Sequence, residues 1–131
     1  MTKLLKLLGY IWALPLSLIG IALFLVYKPK SVKWSDGALD CVIGVPNLIG
    51  GPWVGAQTHG WVIFYKDEYN ATRKDLRIHE RVHVRDALIG GIFFSLAYVA
   101  VFLYELVRLR DWRKAYRNNW FERRAYDAEK E

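Results

Sequence analysis

Two of the three histidines in this 131-residue chain lie in one five-residue stretch, His79-Glu80-Arg81-Val82-His83. Residues four apart on a helix share a face, with Cβ atoms about 5–6 Å apart. Both imidazoles can therefore reach one metal ion at about 2.0–2.1 Å. Glu80 follows the first of the pair and projects beside the two rings, not between them. From there its carboxylate can take a proton from a water at such an ion and pass it to a leaving amine. Five residues thus supply two ligands and a general base. The plainer alternative is a surface helix with two incidental histidines.

A catalytic zinc site takes three protein ligands and keeps one position open. Five residues compete for the third place: Glu122, Glu105, Asp86, His59 and Asp127. If the motif helix and the apolar block after it form an antiparallel hairpin, His83 faces a residue near position 98. Glu105 is then about seven residues further on, some 10 Å away at 1.5 Å per residue. Asp86, one turn past His83, is better placed to orient a ligand than to complete the site. His59 reads as a turn residue with scope for a substrate contact. Glu122 follows a separate polar connection, so its helix is free to fold back.

The elements that must carry these residues follow from the pattern around them. The motif helix is expected from about Arg73 to Ile89, stopped by Gly90-Gly91, with Thr72 and Asp75 resembling a capping box. Leu76, His79, His83 and Ala87 share one face, expected against a sheet. Residues 67 to 72 read as a polar connection and Arg108 to Asn119 as a basic one. A short final helix holds Trp120 to Ala128. Upstream, Asp36-Gly37 is a turn signal, Leu39 to Val45 an apolar run, and Gly50-Gly51-Pro52 a turn. Trp53 to Thr58 is a second run, His59-Gly60 a tight turn, and Trp61 to Tyr65 a third run. These predict a small antiparallel meander. Residues 61 to 65 are expected as its unpaired edge, beside the motif helix, where an extended substrate adds as a strand.

Composition sets the surroundings. Residues 7 to 27 carry no charge, and residues 88 to 107 carry only Glu105. Runs of that length can span a bilayer. The first block has a basic start in Lys3 and Lys6, but its apolar run is long for a secretory signal and no Ala-x-Ala pattern follows. It reads as a retained membrane anchor over 1–27, with Pro15 able to kink or split it. The net charge of +6 suits a face next to anionic headgroups. No nucleic-acid motif accompanies it, so no nucleic-acid partner is expected. Cys41 is the only cysteine, so no intrachain disulfide forms.

The second block brings two readings into conflict. A spanning helix there would put Glu122 on the far side of the membrane from His79. The motif outweighs the hydropathy, so the block is expected not to cross. It should be buried against the first block and the sheet, or lie with one side in the membrane interface.

His-Glu-x-x-His on one helix and Glu122-Arg123-Arg124-Ala125 on a later one resemble the gluzincin class of zinc metallopeptidases. The closer resemblance is to small bacterial membrane-associated proteins of that type. It rests on Trp12-Ala13-Leu14-Pro15, Thr58-His59-Gly60-Trp61-Val62-Ile63, His79 to Arg85, and Asn119 to Tyr126. The resemblance implies His79, His83 and Glu122 as Zn2+ ligands and Glu80 as base. It also implies a peptide or protein substrate and a place in the bacterial inner membrane. The chain departs from the pattern at Trp120, where Pro is usual, and at Asp86, where Gln is common. An Asp often stands four after the ligand Glu, but here position 126 is Tyr and the Asp is at 127. Asp86, Asp127 and His59 are therefore the candidates for supporting or substrate contacts.

The expectation is an α+β chain. It has an N-terminal membrane helix over 1–27 and a zincin-like metallopeptidase domain over 28–131, with a second hydrophobic helix at 88–107. The rival is a non-catalytic membrane assembly or interaction protein with a structural metal or none.

Overall fold

The computed structural model describes residues 2–44 and 54–130. The Gly50-Gly51-Pro52 turn, Val45 and Trp53 lie outside the described residues. Helix and strand are mixed, as an α+β chain requires: a four-stranded sheet and seven helices among the described residues.

The first apolar block is not one helix. It breaks at Ala13 into α1 (Lys3–Trp12) and α2 (Leu14–Tyr27), bent by 62°. Pro15 sits in the first turn of α2, where its missing N–H costs nothing, and it cannot continue the ladder of α1. The break is packed tightly. Ala13, Ser17 and Gly20 are buried, and the Ser17 hydroxyl donates to Ala13 O at 3.0 Å while accepting from Trp61 N at 3.2 Å. The turn that receives Ser17 is centred on Gly60, at φ +64°, where a Cβ would stand 2.6 Å from Ser17 N. Only glycine fits there.

The sheet holds β1 (Ser31–Ser35), β2 (Ala38–Val42), β3 (Ala56–His59) and β4 (Val62–Tyr65) in the order β1-β2-β4-β3. Asp36 and Gly37, both at positive φ, make the β1–β2 hairpin turn in the manner of a primed turn. The β3–β4 hairpin turns at Gly60-Trp61, one residue later than expected.

The sheet is not an antiparallel meander, because β2 and β4 pair in parallel, Leu39 opposite Val62 to Val42 opposite Tyr65. Nor is 61–65 an edge, because β4 is paired on both sides. Its unbroken Val-Ile-Phe-Tyr run has a physical reason, since both faces are covered. Val62 and Phe64 pack with Leu23, Phe24 and Tyr27 of α2, and Ile63 and Tyr65 with Val84 and Leu76 of the motif helix. Among the described residues, the open edge beside that helix is β3.

Residues 68–72 form a short helix, α3 (Glu68–Thr72), capped by Asp67, so 67 to 72 is more than a connection. The motif helix α4 runs Lys74–Gly90. No capping box starts it: the Thr72 hydroxyl donates to Tyr69 O, and Asp75 pairs with Arg73 at 2.7 Å. Arg77 and Arg81, four apart, both reach the buried Asp40 on β2, at 3.1 and 3.0 Å, and clamp α4 to the sheet.

After the break at Gly91, α5 (Ile92–Leu109) turns back along α4. It is long and apolar enough to cross a membrane, yet only 6% of it is buried. It is therefore not buried against the first block and the sheet. The basic connection contains a helix, α6 (Trp112–Asn118), lying along α5: Trp112 meets Phe102 with ring centroids 4.8 Å apart, and Asn118 donates to Glu105 at 2.9 Å. The last helix, α7 (Trp120–Glu129), returns over α4.

Candidate metal centre

Three buried donors converge where α4 meets α7. His79, His83 and Glu122 each offer a ligand atom, and these atoms lie within 4.8 Å of one another. Helical spacing brings the two histidines together, with His83 Nε2 3.3 Å from His79 Nε2. Two nitrogens bound at about 2.05 Å to one tetrahedral ion stand about 3.3 Å apart, so the pair is already at ligand separation. Glu122 spans both rings, with Oε2 2.8 Å from His79 Nε2 and Oε1 3.1 Å from His83 Nε2. The donor set and its spacing fit a metal ion.

The charges are strongly interdependent. Burial alone would raise the Glu122 carboxyl, but the facing His83 and His79 hold it well below the usual carboxylate range. Burial would lower both imidazoles, and Glu122 outweighs it, leaving His79 raised and His83 raised to about 9. An ion entering the site therefore has to displace protons.

Several side chains hold the three donors in place. His79 Nδ1 meets Glu129 Oε1 at 2.8 Å, which sets the tautomer that leaves Nε2 free for an ion. Tyr98 on α5 donates to Glu122 Oε1 at 2.7 Å. Tyr126 packs edge-on against the His79 ring, centroids 4.5 Å apart. Asp86 accepts from Arg124 on α7 at 3.0 Å, so it fastens the helix that carries Glu122. Asn119, fully buried, caps α7 by accepting from Phe121 N at 3.0 Å and donates to Tyr98 O at 3.1 Å.

The two imidazoles look to α5 and α7, not to the sheet, while Leu76, expected on the same face, does pack on Ile63 and Tyr65 of the sheet cluster. His83 packs against Phe94 and Tyr98, the latter being the position the hairpin register singles out. The sheet is faced instead by Glu80, whose Oε2 accepts from the Thr58 hydroxyl of β3 at 2.6 Å. Burial raises the Glu80 carboxyl against the opposing pull of His83, His79 and Thr58.

A cavity of about 430 Å³ opens onto Glu80, His83 and Glu122. All four residues of β3, Ala56 to His59, line it, so it runs along this strand, an edge strand among the described residues. His59 is among them. Its Nε2 is buried with no partner among the described residues, and burial lowers its pKa, keeping the ring neutral.

Two of the sequence candidates lie elsewhere. Glu105 is paired with Arg108 and Asn118. Asp127, expected near the site, is on the surface, its side chain 76% exposed and 3.9 Å from Lys130. Position 127 is five residues, or 500°, round the helix from Glu122, on another face. Glu129 takes the supporting place instead. It was legible as a residue seven after Glu122, two turns on and on the same face.

No protein-family model matches this chain, and the comparison with curated proteins and with solved structures found no match.

Proposed function

We propose that the chain is a membrane-associated zinc metallopeptidase that hydrolyses peptide bonds. The observation that carries the reading is the convergence of His79, His83 and Glu122 beside Glu80, with His83, Glu122 and Glu80 lining a cavity along β3, an edge strand among the described residues. Three protein donors and no fourth in the cluster, among the described residues, leave a position open, as catalytic zinc sites do and structural ones do not. This favours an enzyme over a protein with a structural metal.

Zinc held there would supply Lewis-acid chemistry, acidifying water and polarising a carbonyl. The remaining work falls to the chain. Glu80, fixed through Oε2 by Thr58, accepts a proton from the attacking water and delivers it to the leaving nitrogen as the C–N bond breaks. Its raised pKa brings it towards the range where a carboxylate serves as base and then as acid. Tyr98 and Glu129 keep Glu122 and His79 in place. The β3 edge aligns an extended peptide by main-chain hydrogen bonds.

The membrane reading rests on exposed apolar surface. Leu4, Leu8, Ile11, Leu18, Leu25 and Val26 on α1 and α2 are exposed, as are Phe93, Leu96, Leu103 and Val107 on α5. The basic residues of the tail then sit near headgroups.

The test is peptide cleavage by zinc-loaded protein in detergent, read by mass spectrometry of new termini in a peptide mixture. Wild type should cleave, and Glu80→Gln should keep its zinc and lose cleavage. A zinc-loaded wild type with no cleavage above Glu80→Gln overturns the reading.

A further inference from the structure

The cavity beside Glu80 has an unusual wall. One side of it is built by α5, a helix that leaves Ile92, Phe93, Leu96, Val99, Leu103 and Val107 exposed. Ile92, Leu96, Val99, Leu103 and Val107 recur at helical spacing and are 47%, 61%, 52%, 51% and 78% exposed. Val99 belongs to both surfaces, since it lines the cavity and sits in the middle of this stripe. At Val99 the cavity is therefore continuous with an apolar stripe.

The lining says what can be held there. The charged groups, Glu80 and Glu122, line the cavity together with His83. The walls are Val54, Ala56, Phe94, Val99, Phe102 and Trp112, with neutral polar side chains between them. No Lys, Arg or Asp lines the cavity among the described residues. Such walls strip water from a charged substrate side chain and offer it no partner of their own, the only charged groups being the carboxylates of the centre itself. An apolar side chain gains with the area that it buries there.

We infer that the substrate is an apolar peptide segment delivered from the lipid phase. It reaches the β3 edge along the α5 stripe and enters at Val99. This deepens the peptidase reading and rests on it for the cleavage step, but the docking of the segment stands apart from any chemistry.

The two can be separated in one experiment. A photo-crosslinking benzoyl-phenylalanine is placed singly at the exposed positions 99 and 103 of the full chain. A control is placed at Lys33, exposed on β1 at the far edge of the sheet. The zinc-loaded protein is reconstituted in phosphatidylethanolamine–phosphatidylglycerol vesicles. One probe is a Leu/Ala peptide of transmembrane length with lysine ends, inserted in the same vesicles. The other is a Ser/Gly/Gln peptide of equal length in the water.

The inference expects crosslinks to the apolar probe from 99 and 103 and none from 33. The excess over the polar probe should be on the order of tenfold or more, which two buried methylenes already supply. Glu80→Gln should crosslink like wild type and stop cleavage of the apolar probe. Crosslinking without cleavage upholds the docking and overturns the peptidase reading. Cleavage of the polar probe without crosslinks to the apolar one overturns the inference and leaves the peptidase reading standing. A crosslinked homodimer at 99 and 103 assigns the stripe to a second copy and also overturns it.

Discussion

Glu129 Oε1 stands 2.8 Å from His79 Nδ1, joining the end of the last helix to the first residue of the motif across fifty positions of sequence. Both side chains are largely buried, at 3% exposure for His79 and 19% for Glu129. Supporting carboxylates of this kind change metal affinity by roughly 10–100-fold when lost. Glu129→Gln should weaken zinc binding by about that factor, read by competition with a chromophoric chelator. Asp127→Asn, two residues away and on the surface, should leave affinity unchanged. The reverse order would assign the supporting role to Asp127.

Proton linkage gives a second expectation. In metal-free protein, Glu122 raises His79 and His83 above the ordinary value of about 6.5. The stability this contributes is complete below about pH 6.5 and is lost as pH rises through the folded value, about 9 for His83. Glu122, held low, contributes stability that is present above about pH 4.5 and is lost only in acid. Metal-free protein should therefore lose on the order of 2 kcal/mol between pH 6.5 and 9. Zinc needs neutral imidazoles, so zinc-loaded protein should gain relative stability over the same range. Thermal melts with EDTA and with zinc at the two pH values check this; a metal-free form that stabilises towards pH 9 contradicts it.

The clamp between α4 and the sheet is a third point of test. Asp40 is 8% exposed at its side chain and faces Arg77 and Arg81 together. Asp40→Ala leaves two partly buried guanidiniums without their acid, which should cost on the order of 3 kcal/mol. Denaturant unfolding in mild detergent measures it, and a loss below about 1 kcal/mol would make the clamp incidental.

The topology yields a fourth. α6 lies along α5 and carries Arg113, Lys114 and Arg117. If α5 crossed a bilayer, these cations would be drawn to membrane depth at roughly 2.5–3.5 kcal/mol each. With α5 in the interface, single cysteines at positions 67 and 128 should label from the same side of intact membranes. Cys41 should stay silent, being fully buried with its thiol pushed up to about 11 by burial and by nearby Asp40. Labelling of 67 and 128 from opposite sides would separate Glu122 from His79.

What was legible in the sequence was mostly local. His79, Glu80 and His83 need only one helix to be brought together, and the α4–α5 hairpin register follows from a short turn. Glu122 could be singled out because a polar connection frees its helix to return. Thr58 and Tyr98 could not, since their contacts depend on how β3 and α5 pack on α4. The sheet order was hidden for a related reason: a four-residue run does not specify its partner. The unalternating Val62 to Tyr65 nevertheless carried the mark of a strand covered on both faces. Pro15 marked the broken helix, but the bend at Ala13 is held by Ser17 against the Gly60 turn, a contact 43 residues distant.

The peptidase proposal stands on His79, His83 and Glu122 together being able to hold one ion. Its most direct test is the metal content of purified full-length protein after equilibration with buffered zinc at neutral pH, wild type beside Glu122→Gln and His79→Ala. Wild type should hold about one zinc per chain, with affinity falling by more than about a hundredfold in either variant. A wild type without zinc at saturation, or variants that hold it as tightly as wild type, would contradict the account.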